Sequence, residues 1–98
     1  MSELLTVLAE MHAQPGKEEE LRAHLLAMVA ATHKEEGCVQ YDLHVSTDAP
    51  GHFFFYEQWA SRELLARHAA SPHLTAFGQI AGDLLAEPVR VSTFTRIA

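Results

Sequence analysis

Residues 53–59 read FFFYEQW, and this stretch holds five of the eight aromatic residues in a chain of 98. Along a strand, side chains alternate between faces. Phe53, Phe55, Glu57 and Trp59 therefore share one face, and His52, Phe54, Tyr56 and Gln58 share the other. The first apolar run of the chain has the same two-sided character. Leu5, Val7, Ala9 and Met11 alternate with Leu4, Thr6 and Leu8. A sheet that is apolar on both sides needs two covers. Helices of the same chain can supply one. No spare helix remains for the other, so a second copy of the chain, a homodimer, is the expected cover.

Working outward from the aromatic run, ELLTVLAEMHA (3–13) reads as a strand and Pro15–Lys17 as a turn. Leu21, Leu25, Met28 and Thr32 recur at helical spacing between Lys17 and His33, with Glu18–Glu20 at the end of the helix that favours negative charge. Gly37 is the expected stop signal. CVQYDLHVS (38–46) reads as a second strand, in which Val39, Tyr41, Leu43 and Val45 alternate with Cys38, Gln40, Asp42 and His44. The cluster TDAPG turns the chain into HFFFYEQWA (52–60), giving a hairpin. Ser61 is a good N-cap for RELLARHAA, and Ser71 before Pro72 repeats the signal. Leu74, Phe77, Ala81 and Leu84 form an apolar stripe, Pro88 ends it, and VRVSTFTRI (89–97) is a fourth strand.

The order is βαββαβ with the second helix broken in two. The predicted fold is a ferredoxin-like α+β sandwich in one domain, 1–98: a four-stranded antiparallel sheet, helices on one face, first and third strands central. The net charge of −6 argues against nucleic acid. The lone Cys38 forms no intrachain disulfide, which suits a reducing compartment. The first residues lack a basic leader, and no apolar run nears the ~20 residues that span a membrane. The expectation is a cytoplasmic protein with no membrane partner.

The helix-facing side of the third strand carries the chemistry. Glu57 lies between Phe55 and Trp59, where an unpartnered carboxylate is costly. The following helix should run back over that strand and bring His68 above Phe55 and Glu57. An imidazole, a carboxylate and aromatic walls would then converge. The plainer alternative makes His68 a core residue bonded to a carbonyl, with Glu57 pairing His68 or Arg67 as structure. Alternation leaves open whether Tyr41 or His44 faces this pocket. His68 and His73 stand five apart with Pro72 between them, unlike a helical metal pair, so no metal is expected. Cys38 has no triad around it and reads as a small core residue.

The segments AQPGKEEELRAHL, EEGCVQYDLH, FYEQWASRELLARHAASPHLTAF and EPVRV resemble the antibiotic biosynthesis monooxygenase family, most diagnostically from Trp59 to His68. The resemblance implies a dimeric α/β barrel with one pocket per subunit. It also implies oxidation of a quinol- or anthrone-like aromatic by O2 without a bound cofactor. His68 and Trp59 would then be catalytic, and Phe55, Glu57, Met11, His73 and Phe77 would bind substrate. Haem-degrading relatives place their key residues near Met11, His68 and Gly78, and none of the three matches. Autoinducer-processing relatives carry histidines resembling His68 and His73, which makes an isomerase-like enzyme one alternative. A non-catalytic dimeric module for a small hydrophobic ligand is another.

Overall fold

The computed structural model describes residues 4–98. Glu3, the expected first residue of strand one, and the start of the chain lie outside that range. The elements are β1 (Leu5–His12), α1 (Glu18–Thr32), β2 (Cys38–Val45), β3 (His52–Trp59), α2 (Arg62–Ala69), α3 (Pro72–Leu84) and β4 (Arg90–Thr95). All strand pairs are antiparallel, in the order β2-β3-β1-β4. β1 and β3 are therefore central, and the fold is the ferredoxin-like sandwich that the sequence predicts.

Alternation holds along both central strands. Leu5, Val7, Ala9, Met11, Phe53, Phe55, Glu57 and Trp59 are all buried, while the residues between them on β3 are half-buried. α1 buries Leu21, Leu25, Met28 and Thr32, the four positions that its spacing predicts. Ser61 and Ser71 both cap, accepting from the backbone N–H groups of Leu64 and Leu74 at 3.2 and 3.4 Å. Before α1, the Lys17 N–H donates to the Gln14 carbonyl at 2.9 Å, with Pro15 and Gly16 between them. Gly16 has φ +87°, the value that the third position of such a turn requires.

Two expectations need correction. Gly37 does not stop the helix. α1 ends at Thr32, and tight turns carry the chain on, with Glu35 N–H donating to Thr32 O at 2.9 Å. Gly37 instead sits beneath α2. Its φ is +85°, and a Cβ there would overlap the Leu64 side chain. Simple alternation also fails at the start of β2. A bulge between Cys38 and Gln40 pairs Cys38 with Trp59 and leaves Val39 54% exposed as the extra residue. The register then places Tyr41 opposite Glu57 and Leu43 opposite Phe55. Tyr41, with Leu43, therefore lies on the helix side of β2. His44 pairs with Phe54 on the reverse face and stacks on it, ring centroids 4.6 Å apart.

Candidate active site

Between the sheet and the helices lies a cavity of about 380 Å³. The strands supply its floor through Val7, Ala9, Met11, Tyr41, Phe55 and Glu57. α2 and α3 supply the roof, including Leu65, His68, Leu74 and Phe77. Arg62 and Val91, both exposed, mark its mouth. The size falls within the ~300–1,000 Å³ typical of small-molecule sites, and an apolar lining with a few convergent polar groups is their usual character.

Glu57 is 3% exposed. Its Oε1 accepts a hydrogen bond from Trp59 Nε1 at 2.8 Å. Burial pushes its carboxyl up to about 7, against the pull of that bond, and the charge of Glu35 adds to the rise. Burial likewise pushes the Tyr41 phenol upward, so Tyr41 stays protonated at neutral pH.

His68 is 5% exposed. Its ring lies against Trp59, centroids 4.6 Å apart, and meets Tyr41 edge-on at 5.4 Å. Its Nδ1 donates to Glu35 Oε2 at 2.7 Å. Among the described residues no buried side-chain nitrogen or oxygen lacks a partner. His68 Nε2 has no hydrogen-bond partner among the described residues, so it is not sealed off from solvent, and His68 lines the cavity. Burial lowers the imidazole's pKa, while the bond and charge of Glu35 oppose that shift.

The sequence residues are thus distributed unevenly. Phe55, Glu57, Met11, Phe77 and His68 line the cavity together. Trp59, expected as a wall, does not. It is fully buried one layer behind, where it holds Glu57 and supports His68. His73 faces a neighbouring cavity of about 390 Å³ with His24, Met28 and Phe77. Its Nε2 meets the same Glu35 oxygen at 2.8 Å and lies 3.2 Å from Thr32 Oγ1 and 3.3 Å from Ser71 Oγ.

Sequence reasoning missed Glu35. The signal was present in the spacing. Leu21, Leu25, Met28 and Thr32 step by four, three and four, and Glu35 falls at the next step of three. A carboxylate that extends an apolar stripe invites a search for its partner. The spacing of His68 and His73 does not keep their rings apart. The break between α2 and α3 folds the two onto one carboxylate, with Ser71 N–H donating to His68 O at 3.0 Å. The donor atoms of Glu35, His68 and His73 lie within 4.8 Å of one another, a set that could hold a metal ion. Glu10, His12 and His52 form a second such set on the reverse face. Cys38 is half-buried, and burial raises its thiol's pKa, so it keeps its proton.

The comparisons with known proteins agree with this architecture. Residues 4–79 match the family described as antibiotic biosynthesis monooxygenase. The chain is 37% identical over 92 residues to Rv0793 of Mycobacterium tuberculosis, covering 94% of this chain and 90% of that protein. It is 29% identical over 99 residues to a protein of Escherichia coli named probable quinol monooxygenase YgiN, covering 90% and 95% of the two. The crystal structure of PA3566 from Pseudomonas aeruginosa superposes with a TM-score of 0.94 at 37% identity, covering 100% of this chain and 98% of that one. The fold, the match along most of the sequence and these relatives together make the chain a member of the antibiotic biosynthesis monooxygenase family.

Proposed function

We propose that the protein is a monooxygenase that oxidises a planar quinol- or anthrone-like compound with O2 and needs no bound cofactor. Family membership and the likeness to a relative named as a probable quinol monooxygenase support the reaction class. One observation carries the chemistry: His68, held at Nδ1 by Glu35, lines an apolar cavity, and its Nε2 has no hydrogen-bond partner among the described residues.

The steps follow from that placement. An electron-rich aromatic lies against Phe55, Met11 and Phe77 with its acidic O–H or C–H group at His68 Nε2. His68 takes the proton and becomes an imidazolium stabilised by Glu35. The substrate anion passes one electron to O2, and the resulting radical pair joins to form a carbon–oxygen bond. For an anthrone-like CH2, loss of water from the hydroperoxide gives C=O. One oxygen atom enters the product and the other leaves as water, so CH2 and O2 become C=O and H2O. Apolar walls keep bulk water from the anion. Glu57 is partly protonated near neutral pH and can donate to a substrate oxygen. Arg62 at the mouth favours an anionic intermediate.

The same reading places a second copy on the reverse face of the sheet. Leu8, Phe54 and Tyr56 are only half-buried there, and Phe94 is 49% exposed. The test of function is O2 uptake with a panel of quinols and anthrones. Consumption above autoxidation, lost on heating and in His68→Ala, supports the enzyme. Saturable binding without turnover would make the chain a ligand-binding module instead.

A further inference from the structure

We infer that Glu35 is the positioning residue of the site: it holds His68 in one tautomer with Nε2 bare towards the cavity, and His73 braces it from the other side. The inference rests on the proposed function for its catalytic meaning, but its structural content can be measured without any substrate.

The geometry is specific. One carboxylate oxygen, Glu35 Oε2, receives His68 Nδ1 at 2.7 Å and His73 Nε2 at 2.8 Å. A bond to a carboxylate assigns the proton to the nitrogen that faces it. For His68 that nitrogen is Nδ1, which leaves the lone pair on Nε2, the atom without a partner. In the opposite tautomer Nδ1 would set a lone pair against an anionic oxygen, and the cavity would face an N–H that cannot accept a proton. The pair is also shielded. The side chains of His68 and Glu35 are 6% and 17% exposed, so their interaction is screened far less than a surface pair.

His73 explains why the carboxylate stays in place. Glu35 lies in the turns after α1, which by itself is a poor anchor for a carboxylate. The second imidazole comes from α3, one residue after the N-terminal proline of that helix, and Thr32 and Ser71 hydroxyls surround its Nε2. Two helices, α2 through His68 and α3 through His73, therefore converge on one oxygen. The other groups around His68 do not compete for Nδ1. Tyr41 from β2 presents a ring edge, Trp59 from β3 presents a ring face and spends its N–H on Glu57, and Glu57 and Arg62 line the cavity.

The proton then has a defined role. When Nε2 accepts from substrate, the imidazolium keeps its Nδ1 proton on Glu35, so charge forms next to an existing negative charge. Without Glu35, burial and the charge of His73 would act unopposed on the imidazole and weaken it as a base. This is the logic by which a buried carboxylate orients a catalytic histidine.

The test is long-range 15N–1H NMR of the His68 ring in the wild type, Glu35→Gln and Glu35→Ala, with O2-uptake pH profiles beside it. The wild type should show the Nδ1–H tautomer. Glu35→Gln should lower the His68 pKa, shift the rising limb of kcat/KM to lower pH and cut kcat roughly 10- to 100-fold with KM little changed. Glu35→Asp should recover part of the loss, and His73→Ala should reproduce a smaller version of it. If Glu35→Ala fails to fold, the isosteric Gln variant decides. An unchanged His68 tautomer and pKa in Glu35→Gln would overturn the inference. Ring signals that shift as expected in a protein with no O2 uptake would instead uphold Glu35 and remove the monooxygenase reading.

Discussion

Each face of the sheet carries a glutamate–histidine pair of almost the same length. On the helix side Glu35 meets His68 at 2.7 Å, and on the reverse side Glu10 meets His52 at 2.8 Å. Each histidine also lies on another ring, Trp59 for His68 at 4.6 Å and His12 for His52 at 4.1 Å. The surroundings differ. The reverse-face pair has side chains 34% and 39% exposed, where water competes for every charge. Its main visible effect is that the His52 bond pulls the Glu10 carboxyl below its usual value. The buried pair, by our inference, fixes the His68 tautomer. Bond length alone therefore says little about what an ion pair does, because the dielectric around it sets its strength.

The comparison breaks most completely if the reverse face is covered by a second copy. Phe54→Glu would bury a charge in that contact, and we expect it to halve the mass in light scattering or to prevent folding. A wild-type monomer at micromolar concentration would show that the reverse face is simply wet.

The next largest effect belongs to His68. His68→Ala should lower turnover per folded molecule roughly 100-fold, the usual loss for a general base. Unchanged turnover with a lower melting temperature would return His68 to the core and leave Glu57 as the base to examine.

The two faces should also respond to pH with opposite signs. The carboxyl of Glu57 is raised from 4.5 to about 7 on folding. Its contribution to stability is complete below pH 4.5 and is lost as pH rises through about 7. Glu57→Gln keeps an acceptor for Trp59, so it should match the wild type in acid and exceed it at pH 8 by roughly 2–4 kcal/mol in urea unfolding. Glu10 has the reverse sign. Its pKa is depressed, so its contribution is present above 4.5 and is lost as pH falls through the lowered value. A wild-type and Glu57→Gln pair with parallel stability–pH curves would contradict the buried assignment.

The smallest effect should come from His52→Ala, which removes the wet-face pair. Turnover should stay at the wild-type level and the melting temperature within scatter. A large loss of activity would mean that the two faces are coupled.

How much of this was legible in the sequence depends on the range of the interaction. The faces of β1 and β3 follow from alternation, the buried side of α1 from helical spacing, and the starts of α2 and α3 from Ser61 and Ser71, each a local rule. The order of elements then leaves the ferredoxin-like sheet as the simplest solution. His68 could be placed over Phe55 and Glu57 because a helix and a strand have fixed rises. The stripe of α1 points on to Glu35, but its partner could not be read, because Glu35 lies past the end of α1 in a turn, where no repeat fixes the direction of a side chain. The assignment of Tyr41 rather than His44 to the helix side depends on register, and the bulge at Val39 cannot be read from composition. Trp59 was placed on the correct face but one layer too near the cavity, since alternation gives the side and not the depth.

Gly37 sets a distance that no side chain in the site could set. It lies two residues after Glu35, and the place where its Cβ would stand is filled by Leu64 of α2, the helix that carries His68. A missing carbon thus acts as the spacer between the turn that holds Glu35 and the helix that holds His68. Gly37→Ala would work as a wedge: it would strain a positive φ and push α2 away from the turn, lengthening the Glu35–His68 contact without touching either residue. The width of this cavity is thus adjustable from a position that does not line it.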